Sequence, residues 1–251
     1  MSAEPGRPAQ GGLQARPALS ATTLPGVDLL DDYTGHVEPG GPAARRDLQH
    51  VSITKVSVGP MDNNAYVLVD RSTGETLLID AANETERLLD TVDTVGDRSK
   101  LRHVVTTHKH WDHIQSLEEV ASAVGPRTYA GVDDAPELPV TPDATVGDDD
   151  EVVFGDAVLE VIHLVGHTPG SIALLYRDPE GTGHLFTGDS LFPGGHGKTA
   201  TREDHETLMN DLEHKVFSHL DDDCWVYPGH GDDTTLGNER PHLSEWRERG
   251  W

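Results

Sequence analysis

Residues 104–116 read VVTTHKHWDHIQS, which places His108, His110, Asp112 and His113 within six positions, directly after an apolar run. That run, RHVVTT, predicts a short buried strand that stops where the histidines begin. In the looped backbone beyond it, His108 and His110 can turn their ring nitrogens towards one ion. On a helix, residues two apart would point in different directions. Asp112 and His113 fall where the chain turns into the next amphipathic segment, DHIQSLEEVASAVG, and can start a second cluster. A solvated polar loop in a chain with 15 histidines is the plain alternative. This stretch by itself leaves both readings open.

Three later segments repeat the arrangement. HLVGHTPGS puts His167 between a strand and a Pro-Gly turn, and LFTGDSLF puts Asp189 after a strand whose Gly188 lets the backbone turn tightly. WVYPGHGDD puts His230 after a strand in another Pro-Gly setting. Each of these side chains sits at a strand end, in a loop that a rigid sheet can position. Chance does not readily repeat that placement four times.

Taken in order, THKHWDH, GHTPGS, FTGDSLF and YPGH resemble the metallo-β-lactamase superfamily and, within it, the glyoxalase II-like hydrolases. The resemblance spans roughly residues 51–235. It implies an α/β fold of the αββα sandwich type, two mixed β-sheets flanked by helices, with a dinuclear metal site at one edge. His108, His110 and His167 would hold one metal, Asp112, His113 and His230 the other, and Asp189 would bridge them. The implied cofactors are two divalent ions, Zn²⁺ first, although imidazole and carboxylate ligands also suit Fe²⁺ and Mn²⁺. Two such ions about 3.5–4 Å apart share a hydroxide whose pKa is drawn towards neutrality. That hydroxide would attack a thioester or ester carbonyl, with Asp189 as the bridge; if only one site is filled, Asp112 could instead steer the nucleophile or shuttle a proton. Asp80, in LLIDAA, is a candidate for orienting a ligand histidine, or else a turn carboxylate at a strand end. Lys198, in GGHGKT, matches the position at which glyoxalase II enzymes bind the glutathione carboxylate. His196, after two glycines, can approach the same pocket.

Composition narrows the alternatives. The chain has 251 residues, 35% of them hydrophobic, and a net charge of −25. Nucleic acid and anionic membrane would repel it, which leaves a small-molecule substrate as the expected partner and a homo-oligomer open. The single cysteine, Cys224, rules out an internal disulfide and a cysteine-based zinc knot, and a cytoplasmic setting fits. Residues 1–47, rich in Gly, Pro, Ala and Arg, are expected to be a mobile tail, with the catalytic domain over 48–251. Helices are expected from Asn83, as an N-cap with Glu86 three residues on, and from Thr201. EVVFGDAVLEVIHLV reads as a hairpin around Gly155-Asp156. His205, His214 and His219 are expected on the surface of the last long helix.

The sequence departs from full-length glyoxalase II in LLIDAA, where alanines replace the usual Pro-Gly, and at its C-terminal end. About twenty residues follow His230, too few for that family's basic helical C-terminal domain. Glutathione thioesters are therefore one substrate class among several. A persulfide dioxygenase shares the scaffold and a similar YPGH…T…ER ending, and would hold a single iron at His108, His167 and Asp189. Lactonase activity and a non-catalytic metal-binding module complete the set.

Overall fold

Alternation along the strands divides the molecule into layers. In a strand, neighbouring side chains face opposite sides of the sheet. Leu77 accordingly packs into the core between the sheets while Leu78 packs under helices; Leu174 and Leu175 divide in the same way. The computed structural model describes Met1 and residues 26–250 of the chain.

The first sheet runs in chain order: β1 (Leu29–Leu30), β2 (Ala43–Asp47), β3 (Val51–Val58), β4 (Asn63–Asp70), β5 (Thr76–Ile79), β6 (Leu101–Thr106), β7 (Arg127–Gly131) and β8 (Ala144–Val146). Strands β2 to β5 pair antiparallel, and β5 to β8 pair parallel. The second sheet contains β9 (Glu151–Phe154), β10 (Ala157–His163), β11 (Ile172–Arg177), β12 (Gly183–Gly188), β13 (Trp225–Pro228) and β14 (Thr234–Thr235), in the order 14-13-12-11-10-9. Its β12 and β13 are parallel, so their C-terminal ends lie side by side. Both sheets are thus mixed.

Three apolar clusters make the layers cohere. Ile53, Leu68, Leu77, Val105, Leu174, Phe186 and Tyr227 fill the space between the sheets. Helices α1 (Thr85–Val95) and α2 (Leu117–Val124) cover the first sheet through Leu88, Val92 and Val120. Helix α3 (Arg202–Asp211), with its π-helical continuation Leu212–Phe217, covers the second through Leu208, Leu212 and Val216. Two short C-terminal helices follow, α4 (Leu236–Glu239) and α5 (Leu243–Arg249), and Trp246 of α5 joins that third cluster. The result is the expected αββα sandwich.

Local expectations met mixed outcomes. Thr201 caps α3 in a reciprocal box with Asp204. The hairpin turns at Gly155-Asp156, with Ala157 opposite Phe154. Asn83 does not cap α1: the cap position is Glu84, in a left-handed conformation, and the Asn83 side chain instead accepts from the Glu84 N–H.

The N-terminal boundary also differs from expectation. Residues 26–47, assigned to a mobile tail, are part of the folded unit: β1 and β2 join the first sheet, and Val37, Ala43 and Ala44 are buried. A buried lysine supplies the reason. Lys55 Nζ, on β3, donates to Gly35 O at 2.8 Å, to Gly231 O at 2.7 Å and to Asp233 Oδ1 at 2.7 Å. Tyr33 OH donates to Asp233 Oδ2 at 2.5 Å. Low hydrophobicity hid a segment anchored by polar contacts. The remainder of the expected tail, residues 2–25, lies outside the described residues.

Candidate metal centre

The candidate ligands follow the C-terminal ends of β6, β10, β12 and β13, at one edge of the sandwich. Two backbone bonds draw these ends together: Ile172 N donates to Thr107 O at 2.9 Å, and Gly229 N donates to Gly188 O at 2.8 Å. Close approach requires glycine at two positions. A Cβ on Gly188, where φ is +49°, would lie 2.5 Å from Thr107 Oγ1. A Cβ on Gly229 would lie 2.3 Å from Asp189 Oδ1.

The edge gathers two triads. The ligand atoms of His108, His110 and His167 lie within 4.8 Å of one another, and so do those of Asp112, His113 and His230. Asp189 stands between them. Its Oδ2 is 3.6 Å from His167 Nε2, 3.6 Å from His230 Nε2 and 3.9 Å from His108 Nε2, while Oδ1 is 3.3 Å from His113 Nε2. All seven sequence candidates therefore meet in one place.

Four of the five histidines have the far side of the ring fixed. His113 Nδ1 pairs with Asp80 Oδ2 at 2.9 Å, His167 Nδ1 with Lys198 O at 2.9 Å, and His230 Nδ1 with Met61 O at 3.0 Å. His108 Nδ1 lies 3.0 Å from Thr107 Oγ1. The Thr107 hydroxyl donates to Asp80 Oδ2, so its oxygen is left to accept from His108. A ring that donates from Nδ1 offers the lone pair of Nε2, and all four Nε2 atoms face the Asp189 carboxylate. Asp80 thus orients His113. It is not spare as a ligand, since it also accepts from the Thr107 N–H at 2.7 Å.

This donor set fits divalent metal. His108 Nε2, His167 Nε2 and Asp189 Oδ1 are buried without a hydrogen-bond partner, an arrangement that costs free energy unless something binds there. Burial pushes the His108 ring well towards the neutral form and the His167 ring in the same direction. Burial would do the same to His113, but the Asp189 and Asp80 carboxylates raise it to about 10. Against burial, His113, His108 and His230 hold Asp189 far below the usual carboxylate range. Imidazoles pushed towards neutrality and a carboxylate held towards its ionised form are what metal binding requires, and the proton shared with His113 is what it displaces.

Sequence reasoning missed several supports. Asn63 Nδ2 donates to Asp112 Oδ2 at 2.9 Å and faces His230 Nε2 at 3.4 Å. The Asn64 side chain holds Pro228 O and Gly231 O, one on each side of His230, both at 2.9 Å. Buried Asp134 accepts from Lys109 N at 3.0 Å, Thr168 Oγ1 at 2.5 Å and Gly170 N at 2.9 Å, and so ties the His110 loop to the His167 loop. An adjacent pair in MDNNAY was the only visible signal for the asparagines, and nothing local marked Asp134.

The two expected substrate contacts part company. Lys198 is exposed beside His167, as its carbonyl bond requires. His196 is fully buried, its ring 4.9 Å from His205 and 6.4 Å from Trp246, and it offers a substrate no surface. His205, expected on the surface, is buried with it because α5 packs over α3 there.

Comparisons with known proteins agree with this fold. A family model described as Metallo-beta-lactamase superfamily matches residues 58–230. Hydroxyacylglutathione hydrolase GloC of Haemophilus influenzae is 31% identical over 209 residues, 76% of this chain and 95% of that protein. The crystal structure of ETHE1 from Myxococcus xanthus is similar at a TM-score of 0.66 and 27% identity, covering 78% of this chain and 84% of that one. The crystal structure of TTHA1623 in a di-iron-bound form is similar at a TM-score of 0.61 and 29% identity, covering 74% and 96%. No helix among the described residues is long and apolar enough to cross a membrane.

Proposed function

The chain belongs to the metallo-β-lactamase superfamily, and we propose that it is a dinuclear metal-dependent hydrolase of thioesters, with glutathione thioesters the first substrates to try. The supporting observation is the pair of triads set about Asp189, which four of their five histidines face through Nε2. The likeness to a hydroxyacylglutathione hydrolase supports the substrate class. Divalent ions bound there supply an activated water near neutral pH and a positive charge that polarises a carbonyl oxygen.

The chain's own residues supply the rest. Asp80, Thr107, Met61 and Lys198 fix the ring tautomers through the four Nδ1 contacts described above. Asp112, oriented by Asn63, completes the second triad; with that triad empty its carboxylate would instead be placed to take a proton from the attacking water. Hydrolysis forms a C–O bond and breaks the C–S bond; the proton passes to the departing sulfur, leaving a carboxylic acid and a thiol.

Elemental analysis together with a panel of thioesters and lactones tests this reading. Close to two transition-metal ions per chain and thioester turnover are expected. The rival is a single-iron persulfide dioxygenase, for which His108, His167 and Asp189 would suffice. One iron per chain, with oxygen consumed on a persulfide and no thioester cleaved, would replace the proposal with that rival.

Lys198 gives a second test. Its exposed ammonium can reach a carboxylate distant from the scissile bond without touching metal. Lys198→Ala retains the carbonyl that holds His167. It should raise KM by about tenfold with kcat little changed, and by less for a neutral ester of similar shape. A fall in kcat shared equally by charged and neutral substrates would remove Lys198 from substrate recognition.

A further inference from the structure

Three large apolar side chains stand exposed on loops that carry or brace the candidate ligands: Trp111 at 59%, Val132 at 51% and Met61 at 48%. Single exposed apolar residues are ordinary on any protein. These three come from separate loops that each brace the metal ligands. Trp111 lies between His110 and Asp112. Met61 lends its carbonyl to His230, whose Nε2 is 3.2 Å from Asp112 Oδ2, so Met61 and Trp111 flank the same ligand pair. Val132 is two residues from Asp134, which holds the Lys109 N–H beside His110. In a chain with 13 aromatic residues, four of them Trp, placing an indole in solvent at this point leaves apolar surface for an occupant to cover.

A cation also borders the centre. Lys198 carries the carbonyl that holds His167, whereas Met61 carries the one that holds His230, and Trp111 adjoins both His110 and Asp112. A substrate spanning the centre would set an anionic end against Lys198 and an apolar end against the indole and the thioether.

We propose that Trp111 and Met61 select substrates by their acyl chain, so that the enzyme favours thioesters of medium-length apolar acids over those of small polar ones. This rests on the thioester reading above and names the half of the substrate which that reading leaves open. The thiol carrier, when anionic, lies towards Lys198. Partial cover by a rim gives less than the full value for burying a methylene, so about twofold in kcat/KM per methylene is expected.

The test compares S-acetyl-, S-butyryl- and S-hexanoylglutathione on the metal-loaded enzyme, together with calorimetric titration by acetate, butyrate and hexanoate. The expected result is a rise in kcat/KM on the order of tenfold from acetyl to hexanoyl. Trp111→Ser should flatten that rise, and Met61→Ser should reduce it. The carboxylates should bind in the same order and lose it in the same variants. Flat dependence on chain length in the wild type, or an equal loss for all chain lengths in Trp111→Ser, overturns the inference while leaving the hydrolase reading intact. Absence of any thioester turnover, with hexanoate still outbinding acetate only when Trp111 is present, rejects the thioester reading and keeps the apolar rim.

Discussion

Asp189→Asn is expected to remove turnover and to strip metal from both triads. The substitution preserves shape and deletes one negative charge. Among the seven side chains only Asp112 and Asp189 carry such a charge, and Asp189 alone reaches both groups: one oxygen is 3.3 Å from His113, the other 3.6 Å from His167 and from His230. Deleting a partner one step removed from a metal costs about 10–100-fold in affinity or activity. A direct shared ligand should cost more, so turnover should fall by more than about a thousandfold. Asp112→Asn serves as the comparison, because Asp112 belongs to the second triad alone. It should lower metal content by about one ion and leave the His108–His110–His167 group loaded. Elemental analysis of the two variants, each checked for folding by its thermal melt, separates the cases. Full loading in Asp189→Asn would break the bridging assignment.

The candidate ligands were legible in the sequence, and most of the residues that position them were not. Ligands such as His108 and Asp189 sit at strand ends in short motifs, and the chemistry restricts them to a few residue types. Asp80, which the sequence left open between an orienting residue and a turn carboxylate, lies at the end of β5 with its φ at +58° and its carboxylate turned onto Thr107 and His113. Asp134, Asn63 and Lys55 work through partners 20 to 178 positions away, and no local pattern encodes such pairing. The sheets were readable from period-two alternation in stretches such as EVVF, whereas β1 and β2 were not. AARRD carries too little apolar surface to announce a strand, and it holds its place because β3 already presents an edge to pair with. His196 misled because adjacent glycines suggest an open loop, while this one is closed from behind by α5.

Lys55→Met should lower the melting temperature by about 10 °C and reduce metal retention at the second triad. The Lys55 and Asp233 side chains are both fully buried. Removing one member of a buried ion pair leaves the other uncompensated and costs about 3–5 kcal/mol. In a domain of this size each kcal/mol shifts the melting temperature by about 2–4 °C. Without its partner, Asp233 is left with Tyr33 and burial, and burial already raises its carboxyl above the usual range. The loss should spread to the metal centre because the ammonium also holds Gly231 O, the carbonyl immediately after His230. Lys55→Met combined with Asp233→Asn should recover part of the melting temperature, since no buried charge then remains, but should not restore the hold on Gly231. Deleting residues 1–36 should mimic the single variant, because Tyr33 and Gly35 form the other end of the same network. A melting temperature unchanged in Lys55→Met, or lowered equally in the double variant, would mean that the pair contributes shape rather than charge compensation. A lowered melting temperature with undiminished metal content would mean that the network supports the fold without positioning His230.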